Sequence, residues 1–336
     1  MQRRRLGTDL PISVALVVAT SVGFATWFSR STMDPGLFDA YYRRGVYRYR
    51  VVGRALVWNL YRVLGNPLGN HLPRSTVGSN PGAMFTALVV VNGLCFAGTC
   101  YLIHRLIRGL AEPGRTLIFV TLATIVALSG YVVTPYDQLA YLLLLLVVMA
   151  ADLRPPFDLA PPALTVLAVA NRETAFVAVA ALLASRWPLQ RDRRSMIAIG
   201  SGIAGVVAYV ALRGAGDGSA KVWDQITLLG NLGRLTGWIG VVLIAAMLWA
   251  WWAVCQVSGF TGGPAVRRLW LFSTPYLLVA GLTGYWFEVR LLVPMLLAEC
   301  WVRARTADGV PGGPHPLGRH RRPHLRRRHV QGPTHR

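Results

Sequence analysis

Charge is scarce in this chain. Only 15% of its 336 residues are Asp, Glu, Lys or Arg, against about 25% in an ordinary soluble domain, and the mean hydropathy is +0.43. Acids number 14, and a single lysine, Lys221, stands among 35 basic residues, so the positive charge is almost all arginine. Cysteine is sparse too. Cys95, Cys100, Cys255 and Cys300 sit in or at the ends of apolar runs with no paired spacing in any loop, which supports neither a disulfide framework nor a zinc site. Period-two alternation is missing and the apolar runs are too long for barrel strands, so a β-barrel is excluded. No internal repeat is visible.

What the chain does have is hydrophobic length. Hydrophobic residues make up 54%, in recurring runs that a soluble domain could not bury. The expected fold is all-α: a polytopic integral membrane protein with about ten membrane-embedded segments, its transmembrane domain over residues 1–305. A basic cap at 1–5 precedes an apolar run at 11–28, read as an uncleaved first helix because many runs follow it. The later runs cover 83–103, 116–133, 138–151, 159–185, 196–212, 236–254, 269–286 and 289–302. From 306 to 336 the composition shifts to Gly, Pro, His and Arg. That tail cannot form a core and is expected to be disordered, with a loose attraction to anionic lipids. Its irregularly spaced histidines do not make a metal site.

The run at 159–185 is the most informative because it carries Asn171, Arg172, Glu173 and Thr174 at its centre. A charge at mid-membrane costs roughly 2.5 to 3.5 kcal/mol, so an Arg and a Glu persist there when they pair, line a wet cavity or do work. Read as a re-entrant pair, each limb is about 20 Å long against a hydrocarbon core of about 30 Å, and the tip lies below the surface, shielded by protein or lining a cavity. One tilted helix is the competing reading, and it reverses every later segment. The hairpin keeps Arg105, Arg108, Arg115, Arg154, Arg186, Arg191, Arg193, Arg194, Arg267, Arg268, Arg303 and Arg305 on the side of the amino terminus. The positive-inside rule makes that side cytoplasmic, with both termini on it and the chain multi-pass in the plasma membrane. The excess of arginine thus reports topology first, and nucleic acid is not expected as a partner. Residues 29–82 form an extracytoplasmic loop, and the alternation of arginines with aromatics over 33–65 suggests a helix lying in the interface.

Under this topology Asp34, Asp39, Asp137, Glu173 and Glu288 gather at or just beneath the outer face, with Arg172, Arg290 and some of Arg43, Arg44, Arg48, Arg50 and Arg54. A carboxylate accepts the proton of an attacking hydroxyl, and a guanidinium fork holds a phosphate leaving group. Structural roles compete with these. Asp34 before Pro35 reads as a helix cap, and Asp39 as the partner of Arg43 four residues on. Asp137 reads as the cap of the helix beginning at Gln138, and Glu288 and Arg290 as an ordinary interfacial pair.

Asp34 or Asp39 ahead of an aromatic-basic helix resembles the first loop of GT-C glycosyltransferases, integral membrane enzymes that use polyprenyl-phosphate-linked sugars. Thr134-Pro135-Tyr136-Asp137-Gln138-Leu139-Ala140-Tyr141 at the start of a span, the break at Arg172-Glu173-Thr174, and Glu288 and Arg290 before Pro294 are similar to patterns in bacterial members. The likeness covers roughly residues 10–300 in architecture and these short patches in sequence. It implies that Asp34 or Asp39 is the catalytic base, that Arg172 and Arg290 neutralise the donor phosphate, and that Glu173 orients Arg172. Asp137, Glu288 and Arg50 complete the substrate-binding set. The lipid-linked sugar is the donor, no cofactor is assigned, and a divalent cation is admitted. In many members two acids adjoin in the first loop, whereas here Pro35 and Gly36 lie between Asp34 and Asp39. Two other readings stand beside this one: a lipid or solute transporter with a midplane site at the Asn171–Thr174 break, and a non-catalytic membrane subunit of an envelope complex.

Overall fold

Leucine- and alanine-rich runs punctuated by proline fold here as helices that stop where proline or a charged break dictates. A computed structural model of the chain describes residues 35–44, 47–65, 82–131, 134–153, 155–214, 226–286 and 288–307. Among them all regular structure is helical. A short α-turn, Pro35–Phe38, leads into a π-helical turn, Asp39–Arg44. The longer helices are α1 (Val51–Gly65), α2 (Gly82–Ile107), α3 (Gly114–Leu128), α4 (Asp137–Ala150), α5 (Ala160–Asn171), α6 (Ala175–Arg186), α7 (Arg193–Gly214), α8 (Leu235–Val257), α9 (Gly263–Phe272), α10 (Thr274–Thr283) and α11 (Val293–Ala307). Among the described residues three spans, Thr86–Ile107, Arg193–Gly214 and Leu235–Val257, are long and apolar enough to cross a membrane, and five further apolar helices are shorter, at 10–17 residues. The expected first helix at 11–28 and all but the first two residues of the basic tail lie outside the described residues.

The core is built around α4. Its sequence, DQLAYLLLLLVVMA, is apolar on every face after the first turn, which suits a helix enclosed by others, and it packs against α2, α5, α6 and α11. At the edge of the bundle α8 leans mainly on α3 and leaves Val242, Trp249 and Val257 open.

The 159–185 run is a hairpin. Pro161 and Pro162 fall in the first turn of α5, where a missing N–H costs nothing, and Arg172 ends the helix in extended backbone at φ −166° and ψ 147°. After three residues α6 runs back. Arg186 at its end lies 3.7 Å from Asp152, which precedes α5, and Arg305 binds the same carboxylate. The two limbs therefore leave from and return to one end of the bundle.

That Asp152 end also gathers the connections α2–α3, α6–α7 and α8–α9. Arg193 pairs with Asp158, Gly114 packs on Ser258, and Arg303 donates to the Phe260 carbonyl at 2.6 Å. The opposite end, about 21 Å away along α4, collects residues 129–131, 134–137, 171–174, the close of α7, 284–286 and 288–291. The described arginine-bearing connectors expected on one side thus share one end, and Arg154 lies outside the described residues.

Two expectations are corrected. The run at 269–286 is two helices rather than one, because Pro275 lacks an N–H and its ring crowds the carbonyl four residues back, so α9 stops at Phe272 and α10 starts at Thr274. The segment 33–65 is likewise divided: a turn at Tyr47–Arg50 separates the π-helical stretch from α1. That turn, more than the helix, reaches the charged centre.

Candidate functional site at the Asp137 end

Thr134 starts this site. Its Oγ1 accepts the Asp137 backbone N–H at 3.1 Å, which frees the Asp137 carboxylate from the capping role its position after Pro135 suggested. Instead the carboxylate receives Arg172 on Oδ1 and Arg290 on Oδ2, the latter at 2.5 Å. Arg290 also holds Glu288 at 3.0 Å. Only 5% of the Asp137 side chain is exposed, and 6% and 9% of the two arginines. Guanidiniums and carboxylate this dry persist only as a group, since any one alone would carry an uncompensated charge.

Beside this triad lies a second group centred on Glu173. Its Oε1 accepts from the Tyr49 hydroxyl and from Arg213 Nη2 at 3.1 Å, and its Oε2 from Arg50 Nη2 at 3.1 Å. The Arg50 guanidinium lies 4.4 Å from the Tyr136 ring and 4.8 Å from Tyr47, and Arg213 lies 4.0 Å from Tyr49. Rings at these distances favour a desolvated cation.

Asn171, fully buried, ties the groups together. Its amide donates to the Tyr136 carbonyl at 2.8 Å, and its carbonyl oxygen accepts from the Gly53 N–H at 3.1 Å. Gly53 is required here: a Cβ would sit 2.1 Å from the Pro135 carbonyl oxygen and 2.8 Å from the Asn171 side chain.

Asp39 stands apart. Arg43 and Arg44 of its own turn hold it at 2.8 and 2.6 Å, the pairing with Arg43 that four-residue spacing suggested. The Arg44 hydrogen bond holds its carboxyl below the usual carboxylate range. Arg54 steadies the turn by donating to the Tyr42 and Arg48 carbonyls at 2.8 and 2.9 Å. Tyr42 links this turn to the centre, its ring 6.0 Å from both Tyr47 and Tyr136. Asp34 lies outside the described residues.

The structure therefore brings together Arg50, Asp137, Arg172, Glu173, Glu288 and Arg290. It corrects one expected role: Glu173 binds Arg50 and Arg213, while Arg172 takes Asp137 as its carboxylate. Two participants, Arg213 and Tyr49, escaped the sequence reading, as did the separate buried acid Glu299. Arg213 falls just past the end of its apolar run, and Tyr49 is one tyrosine among several. Glu299, in the last run, carries the same signal as Arg172 and Glu173, an ionisable residue in apolar surroundings. At the other half of the bundle it accepts from the Trp251 and Trp270 indoles at 3.1 and 2.8 Å and from Arg303 at 2.7 Å. Among the described residues no group of three or more His, Cys, Asp or Glu is disposed to hold a metal ion.

Chemically, Arg50, Arg172, Arg213 and Arg290 face Asp137, Glu173 and Glu288, so the centre carries one surplus positive charge, rimmed by tyrosines. Such an arrangement is suited to an anion beside an aromatic surface. No protein-family model, curated protein or solved structure matches the chain.

Proposed function

We propose that the chain is a multi-pass plasma-membrane glycosyltransferase that takes a sugar from a polyprenyl-phosphate donor at the Asp137 end, facing outward, and passes it to an envelope acceptor. The observation that carries this reading is the convergence of four arginines from separate segments on three carboxylates at one end of a helical bundle. The gathering of arginine connectors at the other end supports a cytoplasmic orientation for it, and the open apolar face of α8 suits lipid. In the reaction the acceptor hydroxyl attacks the sugar's anomeric carbon, the bond from that carbon to the phosphate oxygen breaks, and the polyprenyl phosphate leaves with the electron pair. The acceptor proton goes to Asp39 or Asp34, and the arginine cluster offsets the charge on the leaving phosphate.

The test is consumption of a polyprenyl-phosphate-linked sugar by membranes that hold the chain, assayed for wild type, Asp34→Asn and Asp39→Asn. One substitution is expected to abolish transfer while leaving membrane insertion intact; full transfer by both variants discards the mechanism.

A transporter reading draws on the Glu299 cluster, which gives α11 a second buried polar station between Arg290 and the Asp152 end. Counterflow of an unmodified lipid phosphate in proteoliposomes, with no new glycoside formed, favours that reading over transfer.

A further inference from the structure

The four arginines at the Asp137 end are not equivalent. Arg172 and Arg290 take one oxygen each of Asp137, and Arg290 has Glu288 as well, so two cations meet two carboxylates. Arg50 and Arg213 instead share the single carboxylate of Glu173, each through one Nη2 at 3.1 Å. Each also keeps a buried Nε–H with no hydrogen-bond partner among the described residues. A buried donor left unpaired is costly and asks for an explanation. The surplus positive charge of the centre therefore belongs to Arg50 and Arg213, a pair the expected roles of Arg172 and Arg290 passed over.

Two guanidiniums and the Tyr49 hydroxyl aimed at one carboxylate make a donor set for a tetrahedral oxyanion, which offers more acceptor positions than a carboxylate and carries up to two charges. Glu173 is suited to give way. It sits in the three-residue break between α5 and α6, next to the extended Arg172, and a quarter of its side chain is exposed. The opposing turn at Tyr47–Arg50 is likewise outside regular helix. We infer that Arg50, Arg213 and Tyr49 form a phosphate site which Glu173 fills in the resting chain, and that an incoming phosphate ester displaces the carboxylate. Glu173 is then an internal competitor that lowers apparent affinity by the fraction of time it occupies the site. The inference rests on the reading of this end as the lipid-phosphate end, but not on sugar transfer.

The test titrates a polyprenyl monophosphate, in mixed micelles, onto the intact wild-type chain and its variants, with bound lipid counted by native mass spectrometry. Glu173→Gln removes the competitor and is expected to tighten binding about tenfold, whereas Arg213→Gln removes a donor and is expected to weaken it about tenfold or more. Inorganic phosphate is the second arm. Displacement of the lipid by the free ion at comparable concentration, or by the lipid alone, assigns the same site to the ion or to the headgroup on its chain. Weaker binding by a folded, monodisperse Glu173→Gln protein overturns the inference. So does unchanged binding by Arg213→Gln, which decides the matter even where Glu173→Gln fails to fold. Wild-type binding that is lost in Arg172→Gln and untouched in Arg213→Gln rejects this site and leaves the lipid-phosphate reading standing; no binding by wild type rejects both.

Discussion

Replacing Asp137 by Asn tests the buried triad most directly. Asn keeps the shape and removes the charge, so Arg172, with 6% of its side chain exposed, loses the carboxylate it pairs with. Arg290 does not, because Glu288 remains 3.0 Å away. One orphaned guanidinium, rather than two, sets the cost, and breaking a buried pair of this kind costs about 3–5 kcal/mol. The reverse change, Arg172→Gln, is expected to cost less, since Asp137 keeps Arg290 at 2.5 Å. The double variant is then expected to be at least about 1 kcal/mol more stable than the sum of the single losses predicts, the signature of a direct pair. Equilibrium unfolding in mixed micelles, followed by helical circular dichroism, reads all three. A loss below about 1 kcal/mol for Asp137→Asn, or a larger loss for Arg172→Gln than for Asp137→Asn, refutes the reasoning from burial and partner count.

Other substitutions probe separate features. Gly53→Ala forces a Cβ to within 2.1 Å of the Pro135 carbonyl oxygen, so α1 must move away; a loss of about 1–3 kcal/mol is expected. Among the described residues Gly200→Ala in α7 meets nothing closer than Pro162 at 4.0 Å and should stabilise by up to about 1 kcal/mol through helix propensity, so equal effects at the two glycines contradict the packing. Glu299→Gln leaves Arg303, 9% exposed, without its carboxylate but with the Phe260 carbonyl. A loss of about 3 kcal/mol and a shift in tryptophan emission from Trp251 are expected, and an unchanged spectrum counts against the indole contact. Asp39 carries a pH prediction. Its folded value is lowered by Arg44, so the stability from this pairing is fully present above the unfolded value of about 4 and is lost as pH falls through the lower folded value. The stability difference between wild type and Asp39→Asn should be flat from neutral to mildly acidic pH and shrink below about pH 4; a difference that grows on acidification contradicts the sign.

Helices, and the break in one of them, were readable because apolar length and a misplaced charge are local signals. The 159–185 hairpin needed only Arg172 and Glu173 in the middle of an apolar run, whereas the α9–α10 division at Pro275 was passed over because the run on either side of it is continuously apolar. Pairings were not readable. Asp137 looks like a cap from its neighbours, but Thr134 does the capping, and the carboxylate goes to guanidiniums 35 and 153 positions later in the chain. Glu173 was expected to serve its neighbour Arg172. Adjacent residues on an extended backbone point apart, and Glu173 turns instead to Arg50 and Arg213. Which arginine meets which acid depends on how α1, α4, α5, α7 and α11 pack, and no spacing in the sequence carries that.

The antiparallel course of α5 and α6 has an effect on parity. Because these limbs start and finish at the same end, they behave as a cassette: excising both leaves α7 and everything after it pointing the same way, whereas losing α7 alone turns α8 through α11 upside down and carries Arg305 away from Asp152. The excised chain would keep the course of its remaining helices while losing Asn171, Arg172 and Glu173 in one step, and with them two of the helices that enclose α4.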